Sequence, residues 1–157
     1  MATRIPTLAA FTLSASEGRT PQLMNILGAE VLVKLADADT LGAAAILHEI
    51  VPPLGGPPLH RHSNEDEWFY VLNGEITIEI DGEGEVLYAG DSAFAPRGIA
   101  HTLQNFEDSP AEMLVMTTPG HLKLFFEELA SLPGPEIERG RESPSRLCPR
   151  HKAWRRH

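Results

Sequence analysis

Two histidines separated by one residue, His60 and His62, are the first residues of this 157-residue chain that could do chemistry. On an extended backbone, residues two apart point to the same side, so both imidazoles could reach one metal ion. Glu67 follows beyond a polar turn and could supply a carboxylate, and His101 comes after Gly98 on a later segment. Three imidazoles and one carboxylate suit iron(II), manganese, nickel, copper or zinc, and they are not the all-oxygen set that calcium prefers.

Each of these residues also has an ordinary structural interpretation. A His-x-His pair is common on protein surfaces, and a single histidine such as His101 is more often a hydrogen-bonded core residue. Glu65 and Asp66 are expected to be solvated charges, and Glu67 taken alone would be the same. The set of four is what favours a metal site. Four protein ligands on an octahedral ion would leave two positions for water, oxygen or substrate, which is typical of a catalytic site.

The segments that carry these residues are predicted to be short strands joined by tight turns. Asn73-Gly74 is a strong turn signal, and the segment 75–80 alternates isoleucines with polar residues, as a half-buried antiparallel strand does. One amphipathic helix is predicted over 122–132, and further strands are predicted over 31–33, 43–51, 67–72, 86–88, 92–95, 100–105 and 112–117. Many short strands with frequent turns predict an all-β sandwich or barrel.

The first histidine segment resembles the first motif of the cupin superfamily. His60-x-His62 is followed by four residues, then Glu67, then six residues and Gly74. One position departs from the family pattern, because Leu54 stands where the family usually has a glycine six residues before the first histidine. That glycine serves a turn, so the departure concerns the shape of a loop and leaves the four metal-binding positions intact.

The second histidine segment resembles the second cupin motif at every position. Gly90 is followed by five residues, Pro96-x-Gly98, two residues, His101, three residues and Asn105. Fifteen residues separate the two motifs, which is a typical minimal spacing for the family. Agreement at nine spaced positions is far more specific than a lone histidine pair.

The resemblance implies a fold and a ligand set. The fold is a small antiparallel jelly-roll β-barrel, all-β, with a short C-terminal helix. One divalent transition metal per chain would lie inside it, bound by His60, His62, Glu67 and His101. The resemblance also implies a homodimer. The sequence around the first motif resembles that of single-domain bacterial cupins, which are often compared with quercetin dioxygenases.

Residues that share a strand face with Glu67 or His101 are candidates for lining the pocket, because side chains two apart on a strand point the same way. The candidate substrate contacts, chosen on this basis or as apolar wall residues, are Phe69, Val71, Leu103, His48 and Phe94. For His48 the favoured interpretation is a hydrogen-bonded histidine at a barrel end or outside the barrel. For Phe94 it is packing in the core.

Composition and charge exclude several classes of protein. The single cysteine, Cys148, excludes a disulfide framework and a cysteine-based zinc site. The net charge of −9 argues against nucleic-acid binding, and no apolar run is long enough to span a membrane. The N-terminal stretch is too weakly apolar for a secretory signal, which favours a cytoplasmic protein.

Four segments are expected along the chain. They are N-terminal strands with an extension over 1–42, a barrel core over 43–118, a helix with a linker over 119–138, and a tail over 139–157. The tail holds seven of the 13 lysines and arginines and one of the 22 acidic residues, and it is expected to be disordered.

The ligand set and the resemblance together favour a metal-dependent dioxygenase that acts on a small enol, catechol or flavonol-like substrate. Glu67 is the predicted catalytic base, because a carboxylate ligand can detach and accept a proton. One alternative is a non-oxidative isomerase, decarboxylase or lyase, which oxygen consumption would distinguish. Another is a non-catalytic module that binds or senses a small ligand.

Overall fold

The computed structural model describes residues 8–20 and 23–132 of the chain. The predicted linker after residue 132 and the predicted disordered tail over 139–157 lie outside the described residues. Within the described ranges the chain forms nine strands and one α-helix, α1 (Leu122–Ser131). A short 3-10 helix, Asp37–Thr40, follows the second strand. No helix in this part of the chain is long and apolar enough to cross a lipid bilayer.

The strands lie close to the predicted segments, with boundaries shifted by one or two residues in most cases. They are β1 (Met24–Ile26), β2 (Ala29–Leu35), β3 (Ala45–Val51), β4 (Asp66–Asn73), β5 (Glu75–Ile80), β6 (Glu83–Tyr88), β7 (Ser92–Ala95), β8 (His101–Gln104) and β9 (Ala111–Thr118). All of their pairings are antiparallel.

Two sheets face each other and enclose the core. The larger has six strands in the order β1-β2-β3-β9-β4-β7, and the smaller has three in the order β6-β5-β8. Some neighbours in the larger sheet are far apart in sequence, since β9 lies between β3 and β4. This is a jelly-roll arrangement of antiparallel strands, and the predicted all-β fold with one short helix is confirmed.

Strict alternation of side chains builds the core. Along β9, Ala111, Met113, Val115 and Thr117 are buried, and the residues between them face the outside. Along β4, the residues on the buried face are Glu67, Phe69 and Val71. Two acidic or polar side chains thus enter the barrel on faces that are otherwise apolar. Burying such groups is costly unless they have a partner, so their position points to a polar site inside the barrel.

The connector over 52–58 is fixed by Asn105, the last residue of the second motif. The buried Asn105 side chain donates to the carbonyls of Val51 and Ser109, and its main chain exchanges hydrogen bonds with Leu54 and Gly55. Leu54 has φ +59°, a left-handed conformation that costs a leucine more than a glycine. At Leu54 the loop therefore adopts a conformation that a glycine would take without strain.

Candidate metal centre

The structure brings the four predicted ligands together at one end of the barrel. Potential ligand atoms of His60, His62, Glu67 and His101 all lie within 4.8 Å of one another. One carboxylate oxygen of Glu67 lies 2.5 Å from Nε2 of His101 and 3.4 Å from Nε2 of His62. The contact between Glu67 and His101, which are 34 residues apart in sequence, thus joins the two motifs.

Main-chain hydrogen bonds hold the two motifs against each other. The N–H of His60 donates to the carbonyl of His101 at 3.0 Å, and the reverse bond measures 2.8 Å. The N–H of Gly98 donates to the carbonyl of His62 at 2.7 Å. The segment 60–62 therefore extends the smaller sheet beside β8. As a result the imidazole rings of His60 and His101 lie 4.5 Å apart, centroid to centroid.

The turn between Pro96 and Gly98 is also tied to the start of β4. Asp66 accepts from the main-chain N–H of Arg97 at 2.8 Å and from its guanidinium at 3.0 and 2.9 Å. These bonds hold the pKa of Asp66 at about 2, well below its usual range. Asp66 keeps contact with solvent, as expected, and in addition it fastens the loop that precedes His101 to the strand that carries Glu67.

Each of the three imidazoles is oriented by an acceptor at Nδ1. The Nδ1–H of His60 donates to the carbonyl of Pro58 at 2.8 Å, and that of His101 donates to Ile99 at 3.0 Å. A carbonyl can only accept, so these two contacts fix the proton on Nδ1. The Nδ1 of His62 lies 2.6 Å from a carboxylate oxygen of Glu128 on α1. Hence Nε2 is the atom that each ring presents to the site.

The protonation of the rings follows from their surroundings. Burial lowers the pKa of His60 to about 4, so this ring is neutral at neutral pH and can bind a metal. Burial alone would lower the pKa of His101 as well, but the hydrogen bond and the charge of Glu67 outweigh it and raise that pKa. The distance of 2.5 Å between Nε2 of His101 and the Glu67 oxygen is that of a hydrogen bond, which joins the two side chains directly.

The donor set fits a divalent transition metal. The Nε2 atom of His62 is buried and has no hydrogen-bond partner among the described residues. Nitrogen and carboxylate donors of this kind suit iron, manganese, nickel, copper or zinc. A possible metal site is therefore present at the four predicted residues, and its chemistry does not single out one of these ions.

A small cavity of about 40 Å³ adjoins the four residues. This volume has room for a few water molecules. Its walls are mainly apolar, and α1 contributes Phe125 and Leu129 to them. The predicted contacts Phe69 and Leu103 line it, whereas Val71 is fully buried on the same strand face as Phe69 and is not among the lining residues.

The other two predicted substrate contacts lie outside the barrel, away from this cavity. His48 is on the outer face of β3, where its Nε2 lies 3.2 Å from the carboxylate of Glu112. This is the hydrogen-bonded position that the sequence favoured for it. Phe94 is 54% exposed on the outer face of β7, next to Trp68 of β4, so the expectation that it packs in the core is wrong. The strand faces of β3 and β7 turn these two side chains outward, so the structure does not bring them to the candidate site.

Glu49 is a residue of the cavity that sequence analysis did not single out. It lies on β3 between His48 and Ile50 and points inward, on the same face as the buried Leu47 and Val51. Enclosure raises the pKa of Glu49 to about 7, and the negative charge of Glu67 adds to the shift. Alternation of side chains along β3 would have identified Glu49 only if the inward face of this strand had been known.

Glu65 and Glu128 form a second acidic group behind His62. The side chain of Glu65 is 1% exposed, and neither of its oxygens has a hydrogen-bond partner in the described part of the chain. Burial and the charge of Glu128 raise the pKa of Glu65. The expectation that Glu65 is solvated is therefore wrong, because α1 packs over it. No pattern in the sequence signals this contact, since 66 residues separate His62 from Glu128.

Comparisons with known proteins agree with the fold and the motifs. Residues 47–117 match the family model described as Cupin domain. In Thermotoga maritima, the solved structure of a predicted oxalate decarboxylase superposes with a TM-score of 0.62 and 26% identity, over 69% of this chain and 99% of that one. By family match, motif and fold, residues 47–117 form a cupin domain.

Curated relatives match over the same region at low identity. An oxalate-binding protein of Thermotoga maritima is 32% identical over 66 residues, which cover 42% of this chain and 54% of that protein. A quercetin 2,3-dioxygenase of Bacillus subtilis is 35% identical over 81 residues, which cover 49% of this chain and 23% of that protein. The chain thus spans about half of the first relative and a quarter of the second.

Proposed function

We propose that the chain is a metal-dependent dioxygenase that acts on a compact substrate with two adjacent oxygen donors, such as an enediol or a catechol. The observation that carries this proposal is the cluster of His60, His62, Glu67 and His101 beside a cavity. Four protein ligands would leave positions on the ion for substrate and oxygen. The similarity to a quercetin 2,3-dioxygenase supports the reaction class.

The overall reaction would need no outside reductant. With an enediol, the O–O bond of dioxygen breaks, two C–O bonds form, and the bond between the two oxygenated carbons breaks to give two carboxylic acids. The substrate supplies all four electrons, and both oxygen atoms enter the products. A bound metal would supply Lewis acidity and a site for oxygen. The protein residues supply orientation, an apolar wall that excludes water, and acceptors for the substrate hydroxyl protons.

Two carboxyl groups are suited to proton handling in the cavity. Glu67 could accept a proton from a substrate hydroxyl, as predicted from its type and position. Glu49 is the second candidate, because its pKa of about 7 lets it donate or accept a proton near neutral pH. Its Glu49→Gln variant should lose turnover and keep metal content, with Glu30→Gln on the exposed side of β2 as the matched control.

The size of the cavity restricts the substrate. A space of about 40 Å³ holds a few waters and is smaller than a flavonol, so a flavonol would require displacement of the wall formed by Phe125 and Leu129. Compact substrates are therefore favoured over flavonol-like ones.

A non-oxidative decarboxylase is the second candidate. The small cavity and the proton on Glu49 favour it, because loss of carbon dioxide leaves a carbanion that must be protonated. The similarity to an oxalate-binding protein and to a predicted oxalate decarboxylase points to a compact acid as substrate. Oxygen consumption separates the two reactions, since a decarboxylase of this kind releases carbon dioxide without net uptake of oxygen.

The test begins with elemental analysis of the untagged full chain and of His101→Ala. About one transition metal per chain, lost in the variant, is the expected result. Oxygen uptake is then measured with small enediols and catechols, before and after chelation of the metal. Uptake that survives complete removal of the metal would overturn the proposal. Metal binding without turnover of any substrate would favour a ligand-binding module instead.

We also propose a homodimer that forms through the outer face of the larger sheet. Cross-strand neighbours there include Phe94 with Trp68, and Trp68 with Met116. Residues 14–20 cover part of this face at β2, where the Lys34 ammonium donates to the carbonyls of Ser14, Ala15 and Glu17. Among the described residues, the uncovered part of the face lies over β9, β4 and β7. A second copy of the chain suits this part of the face, because it would bury the apolar side chains of Phe94, Trp68 and Met116 against the same side chains of its partner.

A further inference from the structure

We propose that Glu128 of α1 is a positioning residue for His62, so that metal binding and docking of α1 on the barrel are coupled. This inference rests on the proposed metal site and concerns how that site is held. The contact that carries it is the distance of 2.6 Å between a carboxylate oxygen of Glu128 and Nδ1 of His62. That length is typical of a charge-assisted hydrogen bond.

His62 differs from the other two histidines in what orients it. His60 and His101 donate from Nδ1 to carbonyls of Pro58 and Ile99, which lie within their own loops. These loops belong to the barrel wall and stay in place when the barrel is folded. His62 has a side-chain acceptor from a separate helix, so its orientation depends on that helix.

The ring of His62 is held on a second side by α1 as well. It stacks on Phe125, with 4.8 Å between ring centroids and 30° between ring planes. Phe125 is 2% exposed, and it also lines the cavity. Stacking fixes the plane of the imidazole, and the hydrogen bond to Glu128 fixes its rotation and its tautomer.

The charge of Glu128 matters in addition to its geometry. A carboxylate that accepts a proton from Nδ1 makes the opposite nitrogen a better donor to a metal, and loss of such a partner commonly weakens metal affinity about 10–100-fold. The carboxylate of Glu128 is 37% exposed, so solvent moderates this effect, whereas His62 is 1% exposed. Because coupling is reciprocal, bound metal must strengthen the docking of α1 by the same factor.

A second ion bound at His62, Glu65 and Glu128 is the competing interpretation, since their donor atoms also lie within 4.8 Å of one another. An imidazole with its proton on Nδ1 has one lone pair, on Nε2, and that atom faces Glu67. Binding a second ion through Nδ1 would require loss of the remaining ring proton. A hydrogen bond from Nδ1–H to Glu128 leaves that proton on the ring, so it requires no deprotonation.

The test compares Glu128→Ala, Glu128→Gln and Glu127→Gln in the full chain. Affinity for Co²⁺ is measured by competition with a chelator, and the visible spectrum of the Co²⁺ form reports on the ligand field. We expect about 10–100-fold weaker affinity and a shifted spectrum for Glu128→Ala, and partial rescue by Glu128→Gln, whose amide oxygen still accepts from Nδ1. Glu127→Gln changes an exposed carboxylate on the same helix and should match the wild type within about twofold.

Two further readouts separate a positioning role from general loss of stability. Nitrogen-15 NMR of the metal-free chain, with its ring neutral, should show the His62 proton moving from Nδ1 toward Nε2 in Glu128→Ala and remaining in Glu128→Gln. Hydrogen exchange of α1 amides should slow when Zn²⁺ is added to the wild type, and much less so in Glu128→Ala.

The outcomes distinguish this proposal from the proposed function. Wild-type Co²⁺ affinity and spectrum in Glu128→Ala would overturn the positioning role and leave the metal site intact. Two Co²⁺ ions per wild-type chain, with the second lost in Glu128→Ala, would overturn it in favour of the competing site. A wild type that binds no metal would overturn both the coupling and the proposed function, whatever tautomer the NMR spectrum reports.

Discussion

One oxygen of the Glu67 carboxylate lies 2.5 Å from Nε2 of His101 and faces Nε2 of His62 at 3.4 Å. This single atom connects the two motifs and lies on the buried face of β4. A carboxylate in such a position is costly to bury without hydrogen bonds or a cation, and His101 and His62 are the side chains that face it.

Metal binding should therefore stabilise the folded chain. Addition of Zn²⁺ at about 100 times its dissociation constant should raise the free energy of unfolding by about 2.7 kcal/mol, which corresponds to several degrees in melting temperature. Thermal denaturation with and without Zn²⁺ measures the shift. It should vanish in His101→Ala and persist in His121→Ala, which changes a half-exposed histidine outside the four-residue cluster. Equal shifts in melting temperature on addition of Zn²⁺ to His101→Ala and His121→Ala would contradict metal binding by His101.

Glu49 should make the stability of the metal-free chain depend on pH. Its pKa is about 7 when folded and near 4.5 when unfolded, so the folded state binds the proton more tightly. Stability is thus highest below the unfolded value and falls as pH rises through 7. Glu49→Gln removes this loss, so the variant should gain roughly 2–3 kcal/mol relative to the wild type between pH 4.5 and 8.

Urea denaturation of both proteins at several pH values, in the presence of a chelator, tests the Glu49 prediction. Other groups that face the same cavity are Glu67, His60 and His101, and they remain in both proteins. Their direct contributions cancel in the difference between the two curves. Parallel curves for Glu49→Gln and the wild type would show that Glu49 titrates at its ordinary pKa.

The connector before the first motif should tolerate no side chain at Gly56. Gly56 has φ +137°, and a β-carbon there would fall on the carbonyl oxygen of Leu103, which is part of the rigid β8 backbone. Gly56→Ala should lower the free energy of unfolding by about 3 kcal/mol or more. Gly84→Ala is the matched control, because nothing lies within 4 Å of its β-carbon position. Equal stability of the two variants, measured by denaturation, would contradict this account.

The proposed dimer face should be sensitive to charge at Phe94. This residue is 54% exposed at the end of a row of apolar side chains across the larger sheet. Phe94→Asp should convert a dimer to a monomer, because a desolvated and unpaired charge at an apolar interface is costly. Light scattering coupled to size exclusion measures the mass. Tyr88→Asp changes another exposed aromatic residue on the smaller sheet and should leave the mass unchanged, whereas a monomeric wild type would refute the dimer.

The sequence by itself predicted the four candidate ligands, because each stands at a fixed spacing within a motif. It also determined the turns: Gly74 has φ +82° in the Asn73-Gly74 turn, a conformation that glycine adopts without strain. The strands followed from alternation, which is a local property of the chain. Both the motifs and the strands can be recognised from the sequence because they depend on residues that are close together along the chain.

Only the tertiary structure decided which face of each strand is inside. Alternation separates His48 from Glu49 but does not say which of them points into the barrel. Packing of the larger sheet on the core, where Leu47 and Val51 are buried on the Glu49 face, resolves that choice. The burial of Glu65 and the contact of Glu128 with His62 likewise arise where α1 meets the barrel end. Contacts between residues so far apart in sequence depend on how the elements pack, and no local pattern encodes them.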